Sequence, residues 1–276
     1  MITLIGDLGF DIREKDGKRL QLLGGSGFHA AAGAVIANGD FFLVSCVGSD
    51  FELSRMLSYN IPCRYVLKYR NRRSTRFIIE GNEDSRKVRF NNWPFPVIRG
   101  VCNSNDIRNC RIIHLTAASP INQLSYINAI KNSGFAGLIS VDVFDQHCAN
   151  SPKDVLRVIN HCDIVFMNHN EQQLLDYREI PQEKTVIIKH GADGAKCYAG
   201  GEMFSSRFLP NTVADTIGAG DILCGAFIAS LDHGMSAKAA LNLAVMIASK
   251  SVEFYGSESF MQNVNKSLDL LSKRKN

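Results

Sequence analysis

The second half of the chain alternates short apolar runs with helical patterns. Four runs read as buried strands, namely RIIHLT (residues 111–116), GLISVDV, DIVFMN and TVIIKHG. The first three are each followed by a helical pattern, at 120–133, 151–160 and 170–177. Strands that alternate with helices form mostly parallel sheets, and the helices then cover both faces. The sequence therefore predicts an α/β fold of three layers around one central sheet.

The rest of the chain extends this pattern and adds a small appendage. Further helices are predicted in the glycine-bounded stretch 27–39 and, after a β-meander, at 219–233, 236–252 and about 258–273. Two other segments, about 10–23 and 64–92, alternate polar and apolar residues instead, which is typical of strands with one wet face. We expect one domain over residues 1–276, with these two segments forming a small sheet that stands off the main body.

Composition and charge set limits on the class of protein. The chain is 45% hydrophobic and 21% charged, which is ordinary for a soluble globular domain. Its N-terminus lacks the pattern of a signal peptide, and no apolar run is long enough for a membrane span. The eight cysteines are scattered without a CxxC pair, so we expect reduced thiols and a cytoplasmic protein. A net charge of +4 is too small to indicate a nucleic-acid partner.

The stretch DTIGAGD (residues 215–221) carries the strongest chemical signal. Gly218, Ala219 and Gly220 leave backbone N–H groups unobstructed where a helix begins, and a helix N-terminus attracts anions. Asp221 follows directly, so a carboxylate could remove a proton from a hydroxyl while the N–H groups stabilise a phosphoryl group. Taken alone, the same residues could also be a tight turn and a helix cap.

The longer stretch DTIGAGDILCGAF resembles the C-terminal signature of the ribokinase-like (PfkB) carbohydrate kinases. Other segments resemble further motifs of that family, in the family's order. They are LIGDLGFDI with Gly6 and Asp11, LGGSGFH with Gly24 and Gly25, FMNHNEQQL with Asn168 and Glu171, and IIKHGADGA with Lys189, Gly191 and Gly194. Each motif is weak alone, and their order and spacing make the resemblance specific over nearly the whole chain.

The resemblance implies a role for each of these residues. Asp221 would be the catalytic base, and Gly218, Ala219 and Gly220 would form the anion hole. The residues implied to bind the substrate are Asp11, Gly24, Gly25 and His29. Those implied to flank the ATP phosphates are Lys189, Gly191 and Gly194. Asn168 and Glu171 would place Mg²⁺ through its water shell, and Asp215 would belong to a monovalent-cation site, so that K⁺ would activate the enzyme.

The chain also departs from the family's pattern. His29 stands where members often carry asparagine, Ser26 where ribokinase has lysine, and Gly9 where ribokinase has asparagine. These differences argue against D-ribose as the substrate. Asp142 and Asp145 lie in a segment that many members write FDxNxR, and the arginine is missing here. His29 could equally be a buried histidine with satisfied hydrogen bonds.

The two inserted segments match the family's lid, which implies a homodimer paired through that sheet. The basic run from Arg64 to Arg89 includes Arg72, Arg73 and Arg76, and an arginine fork suits a carboxylate or phosphate. An acidic or phosphorylated sugar is therefore one hypothesis. The sequence is also compatible with a kinase for a nucleoside or a glycated amino acid such as fructoselysine, and with an inactive sugar-binding regulator. A dinucleotide-dependent oxidoreductase is excluded because no GxGxxG follows the first strand.

Overall fold

The computed structural model describes residues 1–15, 18–80, 87–90, 101 and 104–264. Within them the larger sheet has nine strands, numbered along the chain as β1 (Ile2–Ile5), β4 (Phe41–Val47), β5 (Tyr65–Lys68), β8 (Ile112–Leu115), β9 (Leu138–Asp142), β10 (Ile164–Asn168), β11 (Thr185–Lys189), β12 (Ala195–Ala199) and β13 (Glu202–Ser206). Their order is β13-β12-β11-β10-β9-β8-β1-β4-β5. All neighbours from β5 to β11 are parallel, and β12 and β13 add an antiparallel hairpin.

A second sheet holds four strands in the order β3-β2-β6-β7. They are β2 (Gly9–Lys15), β3 (Lys18–Gly24), β6 (Thr75–Glu80) and β7 (Lys87–Phe90). We call this sheet the lid. The expected 64–92 segment does not lie wholly in the lid, because its first strand, β5, pairs with Val44–Val47 at the edge of the larger sheet. The expected Asp16-Gly17 turn, residues 81–86 and residues 91–92 lie outside the described residues.

Helices cover both faces of the larger sheet. The described helices are α1 (Ser26–Ile36), α2 (Leu53–Leu57), α3 (Asn105–Arg108), α4 (Pro120–Asn132), α5 (Asp145–Asn150), α6 (Pro152–Asn160), α7 (His169–Leu174), α8 (Ala219–Asp232) and α9 (Ala237–Ser251). Ile164 and Phe166 of β10 join a core with α1, α8 and α9, whereas Val165 and Met167 join another with α4 and α6. Successive strand residues point to opposite faces, so the three predicted layers are confirmed.

The ends of several elements differ slightly from the sequence-based prediction. Helix α7 ends at Leu174 rather than near 177, and the short helix α5 is an element that the sequence pattern does not predict. The predicted last helix, about 258–273, is described only as a helical segment at 257–264. The seven cysteines among the described residues are all free. In the same residues no helix is long and apolar enough to cross a membrane.

Glycines allow α1 and α8 to cross at very short distance. A Cβ atom on Gly225 would lie 1.8 Å from the carbonyl oxygen of Ala30, and one on Gly33 would lie 2.0 Å from that of Ile222. Only residues without side chains fit where two helix backbones approach this closely. The crossing places the first turn of α8 beside α1 at the carboxyl edge of the sheet. At this edge the helix crossing lies near β1, whose neighbours β4 and β8 are on opposite sides of it, so that the order of the strands changes direction there. Ligands of open α/β sheets bind at such switch points.

Candidate active site

Helix α8 begins at a glycine that no other residue could replace without strain. Gly218 is its N-cap, with a φ angle of 77° in the left-handed region. A Cβ atom there would also lie 2.4 Å from Cγ of His29, so the imidazole packs directly on this glycine. The N–H groups of the first helical turn have no acceptor within the helix. The start of α8 therefore presents backbone N–H groups where the anion hole is predicted, and the N–H of Ala219 also donates to the Thr216 carbonyl at 3.4 Å.

Asp221 lies in the first turn of α8 and faces a cavity. Burial raises the pKa of this carboxyl to about 7, and the nearby charge of Asp142 adds to the effect, while His29 and Lys189 oppose it. A carboxylate with a pKa near neutrality is suited to general-base catalysis, because it is partly ionised at neutral pH and its ionised form accepts a proton readily.

The cavity measures about 710 Å³, which is large enough for a small-molecule site. It lies between the lid and the carboxyl edge of the larger sheet. Its wall comprises Asp7, Asp11, Gly25, Ser26, His29, Thr75, Phe77, Ile79, Ala117, Ala118, Ser119, Asn122, Asp142, Val143, Phe144, Gln146, His147, Asn150, Asn168, Glu171, Lys189, Thr216, Ile217, Gly218, Gly220 and Asp221. Most of the sequence-predicted site residues thus meet in one place.

At the lid side, Asp11 forms a buried ion cluster with Arg13 and His29. Its Oδ2 atom accepts from Arg13 Nη2 at 3.0 Å and lies 3.3 Å from His29 Nε2. Burial would raise the pKa of Asp11, but His29 and Arg13 together hold it below its usual value. Gly25 lines the cavity, whereas Gly24 packs on Asp11, where a Cβ atom would lie 2.0 Å from Oδ1.

His29 is held from both sides. Its Nδ1 atom lies 2.8 Å from the Ser257 hydroxyl, and Nε2 faces Asp11. Burial alone would lower the pKa of the imidazole, but the hydrogen bond and charge of Asp11 outweigh it and raise the pKa. The histidine is therefore both satisfied and part of the cavity wall, so the two sequence-based interpretations of His29 are compatible.

On the sheet side, Lys189 Nζ lies 2.8 Å from each carboxylate oxygen of Asp142. Burial opposes the charge on Lys189, but Asp142 outweighs it and raises the lysine's pKa. The amine also reaches the start of α8, since a Cβ atom on Gly220 would lie 3.4 Å from it. Lys189 is thus a fixed cation between the end of β11 and the predicted anion hole.

Asn168 and Glu171 form a reciprocal cap at the start of α7. Asn168 Oδ1 accepts from the Glu171 backbone N–H, and Glu171 Oε2 accepts from that of Asn168. Asn168 Nδ2 also donates to Asp145 Oδ1 at 2.9 Å. Burial raises the pKa of Glu171 to about 8, with Lys189 opposing and Asp142 adding to the rise. Three carboxyl groups, those of Asp142, Asp145 and Glu171, thus lie around Lys189 at this end of the cavity.

Other predicted site residues lie just outside the cavity wall. Gly191 begins a 3₁₀ turn directly after Lys189, and Gly194 follows that turn in the left-handed region. Asp215 lies behind the α8 loop, where its carboxylate accepts from the backbone N–H groups of Ile217 and Gly256 and from the Arg13 guanidinium. The structure therefore places Asp215 against a cation that the chain itself supplies.

The three lid arginines singled out in the sequence do not line the cavity. Arg76 Nη2 pairs with Asp50 Oδ2 at 2.7 Å, and its guanidinium lies over the ring of Phe10. Arg72 and Arg73 are exposed. These arginines were the reason to expect an acidic or phosphorylated substrate, and none of them lies in the described part of the cavity wall.

Sequence reasoning did not assign roles to Asp7, Arg13 or Asp142. Asp7 follows the first strand and lines the cavity, and burial raises the pKa of its carboxyl to about 6. The D-x-R spacing of Asp11 and Arg13 was a usable signal, because residues two apart on a strand share a face. Asp142 ends β9, and polar residues at the carboxyl ends of parallel strands tend to share one crevice.

Comparison with known proteins gives consistent results. Residues 13–263 match the family model of the pfkB family carbohydrate kinases. A 1-phosphofructokinase of Haloferax volcanii is 39% identical over 72 residues, which is 26% of this chain and 24% of that protein. The matches span between about a quarter and two fifths of the curated relatives' own lengths.

Solved structures match over nearly their whole length. A Burkholderia thailandensis nucleoside kinase in complex with inosine has a TM-score of 0.81 at 15% identity, covering 95% of this chain and 94% of that one. A fructokinase with bound ATP from Xylella fastidiosa has a TM-score of 0.76 at 13% identity, covering 100% and 99%. At these identities the structural likeness shows the shared fold.

Proposed function

Because the chain belongs to the pfkB family of carbohydrate kinases, we propose that it transfers the γ-phosphoryl group of ATP to a hydroxyl group of a sugar-like molecule. The observation that carries the proposal is the position of Asp221. This carboxylate lies in the first turn of a helix, faces the cavity, and has a pKa raised to about 7. A base and an anion site thus occupy the same helical turn, as transfer to a hydroxyl requires.

In this reaction Asp221 accepts the proton of the acceptor hydroxyl while the hydroxyl oxygen attacks the γ-phosphorus atom. The bond from phosphorus to the bridging oxygen breaks, and ADP leaves. N–H groups at the start of α8, at Gly218, Ala219 and Gly220, stabilise charge on the transferring group. The protein contributes mainly by positioning and by fixed dipoles, since phosphoryl transfer needs little other covalent chemistry.

Lys189 supports the nucleotide side of the proposal. Its ammonium group is held by Asp142 and lies beside Gly220. A lysine fixed in this way would attract the ATP phosphates to the start of α8. Gly191 and Gly194, in the turn after β11, are proposed to flank the same phosphates. A fructokinase of the same fold was solved with bound ATP, which agrees with this nucleotide.

The residues at this end of the cavity fit Mg²⁺ bound through water. Asn168, Glu171 and Asp142 supply oxygen atoms, which are the donors that Mg²⁺ prefers, and burial has raised the pKa of Glu171. The described residues contain no cluster of three or more His, Cys, Asp or Glu side chains that could hold a metal directly. A hydrated ion brought in with the nucleotide matches both observations. Mg²⁺ would supply charge neutralisation for the phosphates.

The acceptor is proposed to be an uncharged, hydroxyl-rich molecule. Asp11, His29 and Gly25 face the cavity near Asp221, and Asp7 adds a second carboxylate to the wall. Carboxylates accept hydrogen bonds from hydroxyl groups and repel anions. Among the described wall residues, His29 faces Asp11, and Lys189 faces Asp142 on the nucleotide side of the cavity. His147 also lines the wall, and burial lowers the pKa of its imidazole, which favours the neutral form. A sugar acid or sugar phosphate on the acceptor side would therefore meet carboxylates and no unpaired cation among the described wall residues.

A nucleoside is the second candidate acceptor. Phe77 and Ile79 line the cavity from β6 and offer an apolar surface on which a base could stack. The nucleoside kinase solved with inosine shares the fold over 95% of this chain. A glycated amino acid as acceptor and an inactive sugar-binding regulator are hypotheses that the same experiment tests. Dimerisation through the lid also stays a prediction, to be checked by analytical ultracentrifugation.

The proposal is tested by measuring ATP consumption with Mg²⁺ on a panel of neutral sugars, sugar acids, sugar phosphates, nucleosides and glycated amino acids. We expect turnover with a neutral sugar or a nucleoside, and Asp221→Asn should lower kcat by about 10³-fold or more because the base is lost. Asp176→Asn, an exposed carboxylate, is the matched control and should turn over normally.

Near-normal turnover by Asp221→Asn would remove Asp221 as the base. Turnover confined to sugar acids or sugar phosphates would show that the cavity selects anions, against the charge argument. If no compound is phosphorylated while calorimetry still detects binding of a sugar, the hypothesis of a sugar-binding regulator gains support.

A further inference from the structure

Arg13 is a buried arginine in the lid strand β2, with a side chain only 4% exposed. Two carboxylates hold its guanidinium. Nη2 donates to Asp11 at 3.0 Å, and Nη1 donates to Asp215. The central guanidinium carbon, Cζ, also lies over the ring of Tyr255, at 5.3 Å from the ring centroid. Arg13 therefore joins the predicted substrate carboxylate to the loop that precedes α8.

Asp215 is the residue that the family resemblance implies for a monovalent-cation site. Its Oδ1 atom accepts from the Ile217 N–H at 3.1 Å, and Oδ2 accepts from the Gly256 N–H at 2.9 Å as well as from Arg13. Three donors thus occupy three of the roughly four lone-pair positions of the carboxylate, and one of the donors is itself a cation. A metal ion needs oxygen lone pairs turned toward it, so these residues do not fit K⁺.

The local charges also balance without an added ion. Asp11 and Asp215 carry two negative charges, and Arg13 and His29 oppose them with two positive ones when the imidazole is protonated. Asp11 favours that protonated form. A further cation beside Asp215 would meet the guanidinium at short range and be repelled in a buried site.

We infer that the Arg13 guanidinium takes the place of an exchangeable monovalent cation behind the α8 loop, so that turnover does not depend on K⁺. The inference rests on the proposed function for its kinetic consequence. Arg13 is then a positioning residue, since it acts through Asp215 and Asp11 and not on the reacting atoms. Its fixed charge holds residues 215–218 in the conformation that places Gly218 against His29.

The test compares turnover in potassium chloride with turnover in tetramethylammonium chloride at equal ionic strength. The wild type should differ by less than about twofold between the two salts, because screening is equal at equal ionic strength and no exchangeable K⁺ takes part. Arg13→Gln should lose about 10²-fold in kcat/KM without K⁺ because the buried carboxylates lose their partner. Potassium or guanidinium ions should restore at least about tenfold of that loss by entering the vacated space.

Two further variants control for general damage to the fold. Arg13→Lys keeps the charge and should remain K⁺-independent at an intermediate rate, because one ammonium cannot hold both carboxylates as a fork does. Arg157→Gln removes an exposed arginine paired with Asp154 and should behave as the wild type in both salts.

A second readout does not need an acceptor substrate. The thermal unfolding midpoint of the wild type should be equal in the two salts, whereas that of Arg13→Gln should rise with K⁺ or guanidinium, since a bound ion stabilises the folded state. This measurement tests Arg13 even if the chain phosphorylates nothing, so failure of the inference and failure of the proposed function can be told apart.

Saturable K⁺ activation of the wild type, or a wild-type unfolding midpoint that rises specifically with K⁺, would overturn the inference. An Arg13→Gln variant that is as active and as stable without K⁺ as the wild type would also overturn it. If Arg13→Gln does not fold, Arg13→Lys provides the test. K⁺-dependent turnover in that variant would contradict the inference, because a side-chain cation is still present there.

Discussion

At the scale of single residues, the site is governed by carboxylates with different surroundings. Asp11 is paired with two cations, and its pKa lies below its usual value. Asp221 lies near Asp142 and has no ion-pair partner among the described residues, and burial raises its pKa to about 7. These surroundings keep Asp11 ionised and suit Asp221 to the role of proton acceptor that we propose for it. Groups of one chemical type take different roles because burial and neighbouring charges differ.

The raised pKa of Asp221 predicts the acid side of the pH profile. The base works only when ionised, so kcat/KM should fall as the pH drops through about 7, by about tenfold for each further pH unit. Substituting Asp142→Asn removes a like charge near Asp221 and frees Lys189 from its partner, and both changes should lower the pKa of Asp221. The acidic limb of the pH profile should then move to lower pH. The measurement is kcat/KM against pH with the best acceptor. A limb that stays in place in Asp142→Asn would show that Asp142 does not influence the base.

At the scale of elements, the contact of α1 with α8 builds the site. Gly225 and Gly33 let the two backbones touch, and this contact sets His29 against Gly218. The apolar faces of both helices then continue into the core on one side of the larger sheet. The same small residues that shape the core therefore fix the distance between His29 on α1 and Asp221, the proposed base, on α8.

Replacing Gly225 by alanine tests this crossing. In an ordinary helix the change would stabilise by about 0.5–1 kcal/mol. Here the new methyl group would meet the Ala30 carbonyl oxygen, so the free energy of unfolding should fall by about 2 kcal/mol or more. KM for the acceptor should rise as well. Urea unfolding checks the prediction, with the exposed position Asn242→Ala on α9 as control. An unchanged or higher stability would mean that the helices separate at little cost.

At the scale of the whole molecule, residues 256–258 close the site from the C-terminal side. The Gly256 N–H binds Asp215, the Ser257 hydroxyl lies against His29, and Glu258 accepts from the Leu23 N–H at 2.9 Å and from Arg55 at 2.7 Å. These contacts tie the loop before α8, helix α1 and lid strand β3 to one short segment. The lid is thus anchored to the main body by residues remote from it in sequence.

Removing the Glu258 carboxylate should loosen this anchor. Glu258→Ala leaves the Leu23 N–H without its acceptor and Arg55 without its partner, so the free energy of unfolding should fall by about 1–3 kcal/mol. KM for the acceptor should rise more than kcat falls, because β3 carries Gly24 to Asp11 and leads into Gly25. Denaturant unfolding and steady-state kinetics measure both effects. Glu202→Ala, at an exposed position on β13, should change neither.

Local sequence patterns predict the layered α/β fold, and most of the site residues that they indicate line one cavity. Strand and helix periods depend on neighbours a few positions apart, and the turn at Gly218 with Asp221 in the first turn of the following helix is likewise a local feature. The predicted residues Asp11, His29, Asn168, Glu171 and Lys189 do meet at one cavity, and their roles stay predictions.

Which charges pair depends on the tertiary structure. Arg13 meets Asp215 across 202 positions, His29 meets Ser257 across 228, and Lys189 meets Asp142 across 47. Such pairs depend on strand order and on where two helices cross, and no local pattern contains either. The same reason explains why β5 lies in the larger sheet although its alternating residues resemble those of the lid. A strand's pattern indicates that one face is buried, but the sheet that buries it is chosen by the packing of the whole chain.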